Sequence, residues 1–223
     1  MKARTVKGLD PAAPLADNLE RIVRVRLDEL CGFVPTVFDP EEVVALHDMR
    51  IAAKRLRYIL EVGAEPCFGR YAVKAGKRTK ELQDLLGEIH DCDVTRPRVL
   101  ALIAGLRAAD AREAVARAGD ADDLDPEHVA GTGHATAWRG LETLAVYLAA
   151  RRALLFERFL TRWKALEREG FRPRLEYAIG ERPAVEPRFS RALAVVPDRA
   201  DETSPADNGA AASGALPSDA PPA

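Results

Sequence analysis

The sequence predicts an all-α protein, an antiparallel helical bundle with a long C-terminal helix and a disordered tail, on three observations. Ala, Leu, Arg and Glu dominate while β-branched runs are scarce, a balance that favours helix over strand. Apolar residues recur at helical spacing in five stretches, and nothing reads as a hairpin or a βαβ unit. From Ile179 onward the composition turns to Pro, Ala, Ser and Asp, which cannot bury enough apolar surface to order itself.

The elements follow in order. Residues 1–14 form a flexible, basic, Pro-containing lead without periodicity. A first helix spans Leu15 to Cys31, with Leu19, Ile22, Val23, Leu27 and Leu30 on one face and Gly32 and Pro35 closing it. Asp39-Pro40-Glu41-Glu42 reads as a helix start: an N-cap Asp, Pro in the first turn and two acids at the positive dipole end. That second helix fades near Gly63 or Pro66. A third runs from about Phe68 to His90 on Leu82, Leu85, Leu86 and Ile89. Asp91 or Asp93 caps a fourth, whose regular part is restricted by Pro97. Gly119 to Gly133 reads as an acidic loop, and Ala135 to Glu169 as a long helix ended by Gly170 and Pro173. The domain plan is a lead (1–14), a helical domain (15–178) and a Pro/Ala-rich tail (179–223).

Composition sets the class. The chain has 223 residues, 47% hydrophobic and 30% charged, long enough to bury a sizeable core. Its net charge of −2 excludes a polycation as a whole but conceals an asymmetry. Between His47 and Lys80 nine Lys or Arg face three acids, whereas Asp110 to Glu127 holds seven acids against Arg112 and Arg117. Cys31, Cys67 and Cys92 are odd in number, widely spaced and suited to a reducing compartment. No apolar run reaches membrane length and no signal core opens the chain, so the expectation is a cytoplasmic protein without membrane contact.

The most informative segment is Leu46 to Glu61, LHDMRIAAKRLRYILE. Met49, Ala52, Ala53, Leu56, Ile59 and Leu60 fall on one third of a helix, as a core stripe requires. His47, Arg50, Lys54 and Arg57 follow at steps of three, four and three on the other side, stacked above one another. Lys80, Gln83, Gly87 and His90 repeat the same rhythm on the third helix, with Lys74, Lys77 and Arg78 extending the positive surface. Gly87 inside a helix costs about 1 kcal/mol relative to Ala, which points to a neighbour or ligand that needs the space. Rows of like charge repel; an anion is the natural reason for them.

LHDMRIAAKRLRYILE followed by KELQDLLGEIHDCDV resembles the CHAD domain, the conserved histidine α-helical domain, over about Leu15 to Glu169. The resemblance implies helical bundles around a basic, histidine-lined groove that binds inorganic polyphosphate. It implies no catalytic residue, metal or cofactor. The matching positions are His47, Arg50, Lys54, Arg55 and Arg57 on the first motif and Lys80, Gln83 and His90 on the second, with Lys74 and Lys77 added from the charge pattern. ARRALLFERFLTRW resembles the family's closing helix and adds Arg151, Arg152 and Arg158. The family commonly carries two copies of the His-and-basic unit; only one is clear here, so the groove is either half-sized, completed by a late helix, or completed by a second subunit across a two-fold axis. The partners implied are polyphosphate, polyphosphate-metabolising enzymes and polyphosphate granules.

Two alternatives stay open. Nucleic acid also presents a phosphate chain, although single-strand binders interleave aromatics for stacking and only Tyr58 and Tyr71 are near. His47-Asp48 and His90-Asp91 resemble the His-Asp elements of metal-dependent phosphohydrolases of the HD type, although adjacent helical residues point about 100° apart.

Overall fold

A computed structural model describes residues 2–182, and among these the regular structure is helical throughout. The elements are α1 (Leu15–Cys31), α2 (Val43–Gly63), α3 (Gly69–Ala118), α4 (Pro126–Ala130), α5 (Ala135–Arg168) and α6 (Phe171–Glu181). A single 3-10 turn (Thr36–Phe38) separates α1 from α2, and a π-helical turn (Ala64–Phe68) leads into α3. Among the described residues no helix is long and apolar enough to cross a membrane.

The lead lies along α1. Arg4 N donates to the buried Glu29 carboxylate at 2.5 Å, which also takes Arg26 Nη1 at 2.6 Å, while Arg26 Nη2 returns to the Arg4 carbonyl at 3.0 Å. Helix α1 keeps the bounds its periodicity predicts. Helix α2 does not begin at Pro40: Asp39 Oδ1 accepts from Glu41 N at 2.9 Å and closes a local turn, so the first helical residue is Val43. An Asx turn and an N-cap use the same side-chain oxygen, and here the turn takes it.

The larger correction is α3. One helix of 50 residues replaces the expected third and fourth, and neither Asp91 nor Asp93 caps anything. At 1.5 Å per residue it is about 75 Å long. Pro97, exposed on its outer side, removes one backbone donor. The helix continues because Ile89 and Cys92 before the proline and Val99 and Ile103 after it are all buried against the rest of the core. Burial of such side chains is worth about 1.5–3 kcal/mol each, enough to outweigh a single proline cost of roughly 3 kcal/mol.

Helix α2 packs on α3 and α1, and α5 packs on α3 from another side. Leu19, Val23, Leu27 and Leu30 of α1 meet Met49, Ala52, Ala53, Leu56 and Leu60 of α2, with Ala72, Ala75, Leu82, Leu86 and Ile89 of α3 completing the core. Small residues let the axes approach: a Cβ on Gly76 would stand 3.4 Å from Leu60 Cβ. Phe156, Phe159, Trp163 and Leu166 extend the same core through α5.

Gly119 to Gly133 is not wholly loop, since Asp125 caps the short α4 through Glu127 N at 2.8 Å. The buried Asp110 of α3 ties down the start of α5, accepting from Trp138 Nε1 at 3.2 Å and from His134 N and Nδ1 at 3.2 and 2.8 Å. Burial pulls its carboxyl upward, but these bonds outweigh that and hold it below the usual range.

After α5 the chain turns at Gly170, φ +68°, a left-handed conformation that glycine adopts without a Cβ clash. The long helix has ended as expected, and Pro173 sits in the first turn of α6, where a missing N–H costs nothing. Ile179 to Glu181, grouped by composition with the tail, complete α6 because Phe171, Leu175, Ala178 and Ile179 bury an apolar face. The tail expected beyond that point lies, from residue 183, outside the described residues.

Gly63, buried at the end of α2, faces Leu19, and a Cβ there would overlap a Leu19 methyl. Gly63→Ala is expected to destabilise the protein by about 1–3 kcal/mol, with part of the loss recovered in Leu19→Ala/Gly63→Ala. Chemical denaturation of the single and double variants measures it; an unchanged midpoint for Gly63→Ala would contradict this packing.

Candidate anion-binding site

Helices α2 and α3 run antiparallel, and their polar stripes face each other in register. His47 Nδ1 and His90 Nδ1 are 3.2 Å apart, with ring centroids at 4.4 Å. One step along, Arg50 Nε lies where a Gly87 Cβ would come within 3.5 Å. Further along the same stripes lie Lys54 and Arg57 on α2 and Gln83 and Lys80 on α3. Arg57 Nη1 donates to Gln83 Oε1 across the seam at 3.2 Å. Gly87 therefore lies in contact range of the Arg50 guanidinium.

The two Nδ1 atoms can share only one hydrogen, one ring donating and the other accepting. Protonating both would set two imidazolium groups face to face. His90 is held below the ordinary imidazole range, mostly by desolvation and then by His47 and Arg50, while Asp91 and Asp93 pull weakly the other way.

Further along, Arg57 donates to Glu61 at 2.6 Å and Lys80 to Asp84 at 2.6 Å, both one turn on in their own helices. Tyr58 lies between Lys54 and Arg57, whose cationic heads stand 5.7 and 5.3 Å from its ring centre. Arg55 is half-buried, about 100° round α2 from Lys54 and off the stripe. Lys74 and Lys77 are exposed on α3. Lys74 shares its side of the helix with Arg78, one turn on, which pairs with Glu169 at 2.9 Å, so it faces away from the seam.

The basic residues of α5 are in a different situation. Glu81, Asp84, Glu88 and Asp91 form an acidic row on α3, each one residue after a member of the polar stripe and thus about 100° round the helix. Arg162 pairs with Glu81, and Arg151 reaches Glu88 at 2.5 Å. Arg158 is exposed on α5. Arg152 donates to Asp93 Oδ1 at 2.8 Å and to the Pro40 carbonyl at 2.5 Å, and stacks over Phe156. It joins α5, α3 and the approach to α2 behind the histidine end. The structure thus brings together His47, Arg50, Lys54, Arg57, Lys80, Gln83 and His90, and occupies Arg151 and Arg152 with carboxylates. Glu61 and Asp84 had a legible signal, the i,i+4 spacing from Arg57 and Lys80. The Arg152–Asp93 bridge had none.

Among the described residues no group of three or more His, Cys, Asp or Glu is placed to hold a metal ion. The cysteines are separate and unpaired, and burial pushes the Cys31 thiol up to about 11.

Residues 2–100 match the family model described as CHAD domain, a span that ends inside α3. No curated protein and no solved structure matches the chain.

Two outcomes follow from this geometry. Arg152→Met leaves Asp93 with its charge largely enclosed and is expected to destabilise the fold by about 1.5–3 kcal/mol. Asp93→Asn should relieve much of that in the double variant, and additive losses in denaturant melts would argue against the coupling. The second concerns pH. His90 is lowered in the fold, so neutral imidazole is favoured there. Its contribution to stability is complete above the unfolded value near 6.5 and is lost as pH falls through the lower folded value. Melting temperature should therefore drop below pH 6.5 more steeply in wild type than in His90→Gln, and parallel curves would refute the assignment.

Proposed function

We propose that this chain, by virtue of the CHAD domain in residues 2–100, is a non-catalytic module that binds inorganic polyphosphate along the α2–α3 seam. The observation that carries this is the in-register facing of His47, Arg50, Lys54 and Arg57 with Lys80, Gln83, Gly87 and His90. Polyphosphate is a flexible chain with about one charge per phosphate and no base, ring or fixed shape. A row of cations along its path is all that recognition requires. Arg presents paired donors to phosphate oxygens and Lys a point charge. The histidine pair donates through whichever nitrogen bears hydrogen, and a nearby phosphate favours its charged form.

The acidic row on α3 supports a narrow track, since it separates the seam from the arginines of α5 and would repel a polyanion spreading sideways. Such a module suits a cytoplasmic protein that attaches to polyphosphate granules or presents the polymer to enzymes that metabolise it. The exposed Tyr58 favours nucleic acid as the second reading. One aromatic with cations at its ring is a poor stacking platform, so RNA should bind more weakly than polyphosphate of equal charge.

Titration with polyphosphate and with single-stranded RNA at several salt concentrations tests both readings. Affinity for polyphosphate should fall log-linearly with salt, and each seam cation removed should lower the slope by roughly 0.7. Arg50→Glu/Lys54→Glu/Arg57→Glu should abolish binding while the helical signal is retained. Undiminished binding by that folded variant would place the ligand elsewhere, and tighter binding of RNA would favour the second reading.

A further inference from the structure

The seam is uneven along its length. At one end Arg57 and Lys80 are each already held by a carboxylate, Glu61 and Asp84, at 2.6 Å. At the other, Arg50 Nε is screened from solvent and has no hydrogen-bond partner among the described residues. It packs against Gly87, 3.5 Å from where a Cβ would stand, so a side chain larger than methyl there would press on it. One step further, the His47 and His90 Nδ1 atoms bond each other. A buried guanidinium N–H without an acceptor is costly, and an anion in reach of it would remove that cost. The Arg57–Lys80 end has no such deficit, since any anion arriving there competes with two carboxylates.

Resting on the polyphosphate reading, we infer that the seam is polarised: a single phosphate group anchors at Arg50, over Gly87 and beside the His47–His90 pair, and the Arg57–Lys80 end engages only when a longer chain displaces Glu61 and Asp84. The anchor is the subsite for a short oligophosphate or a chain end. The far end adds affinity in proportion to chain length, and Glu61 and Asp84 set how much it adds. Removing Asp84 should therefore strengthen long-chain binding without touching the anchor.

The experiment is calorimetric titration of the full chain with tripolyphosphate and with long-chain polyphosphate. Arg50→Gln removes a charge-assisted bond and should weaken both by about tenfold or more. Gly87→Val, whose methyls would displace the Arg50 guanidinium, should do the same and guards against an Arg50 variant that folds poorly. Lys80→Gln should weaken the long chain more than tripolyphosphate, and Asp84→Asn should tighten the long chain. Equal losses of tripolyphosphate in Arg50→Gln and Lys80→Gln would overturn the polarity, as would long-chain binding with no tripolyphosphate binding. Failure of the wild-type chain to bind either probe would instead overturn the polyphosphate reading itself.

Discussion

The antiparallel packing of α2 on α3 in one particular register is the constraint on which the candidate site depends. Two helices can present complementary polar rows only if their axes are close and neither slides past the other. Closeness comes from Ala52 and Ala53 on α2 and Ala72, Ala75 and Gly76 on α3, all buried. Register comes from the larger side chains between them, Met49, Leu56 and Leu60 against Leu82, Leu86 and Ile89, because a slip by one residue would rotate each row by about 100°. The histidine contact and the Arg57–Gln83 bond are products of that register rather than its cause.

Electrostatics then decides what the surface offers. A chain with net charge −2 can still hold a strongly positive track if its acids are placed beside the track rather than in it. Glu81, Asp84, Glu88 and Asp91 do this on α3, drawing Arg151 and Arg162 of α5 toward themselves. The same row that neutralises α5 borders the seam. A charge count over the motif region sees the excess of cations but not this division, since each acid is a sequence neighbour of a stripe residue and differs from it only in azimuth.

Much of the fold was legible because helical periodicity is local. The bounds of α1, the span of α5 to within a residue, and the core faces of α2 and α3 follow from where Leu, Ile, Met and Ala recur. The failures share a cause. Asp39, Asp91, Asp93 and Pro97 are boundary signals whose weight is about 1–3 kcal/mol. At α3 that weight was exceeded by apolar surface buried on both sides of the signal, which no single window displays. At Asp39 it was diverted into a turn.

For the site, the sequence by itself determined the two rows of His, Arg and Lys, their three-four-three spacing and the odd glycine among them, because residues on one helix face are set by the 3.6-residue repeat alone. It also carried the resemblance that the CHAD-domain match to residues 2–100 upheld. Only the tertiary structure decided that the rows face each other, that Gly87 sits against Arg50, and that Arg151 and Arg152 are held by Glu88 and Asp93. Those facts depend on which helix lies beside which and at what rotation, and that is settled by burial across the whole core.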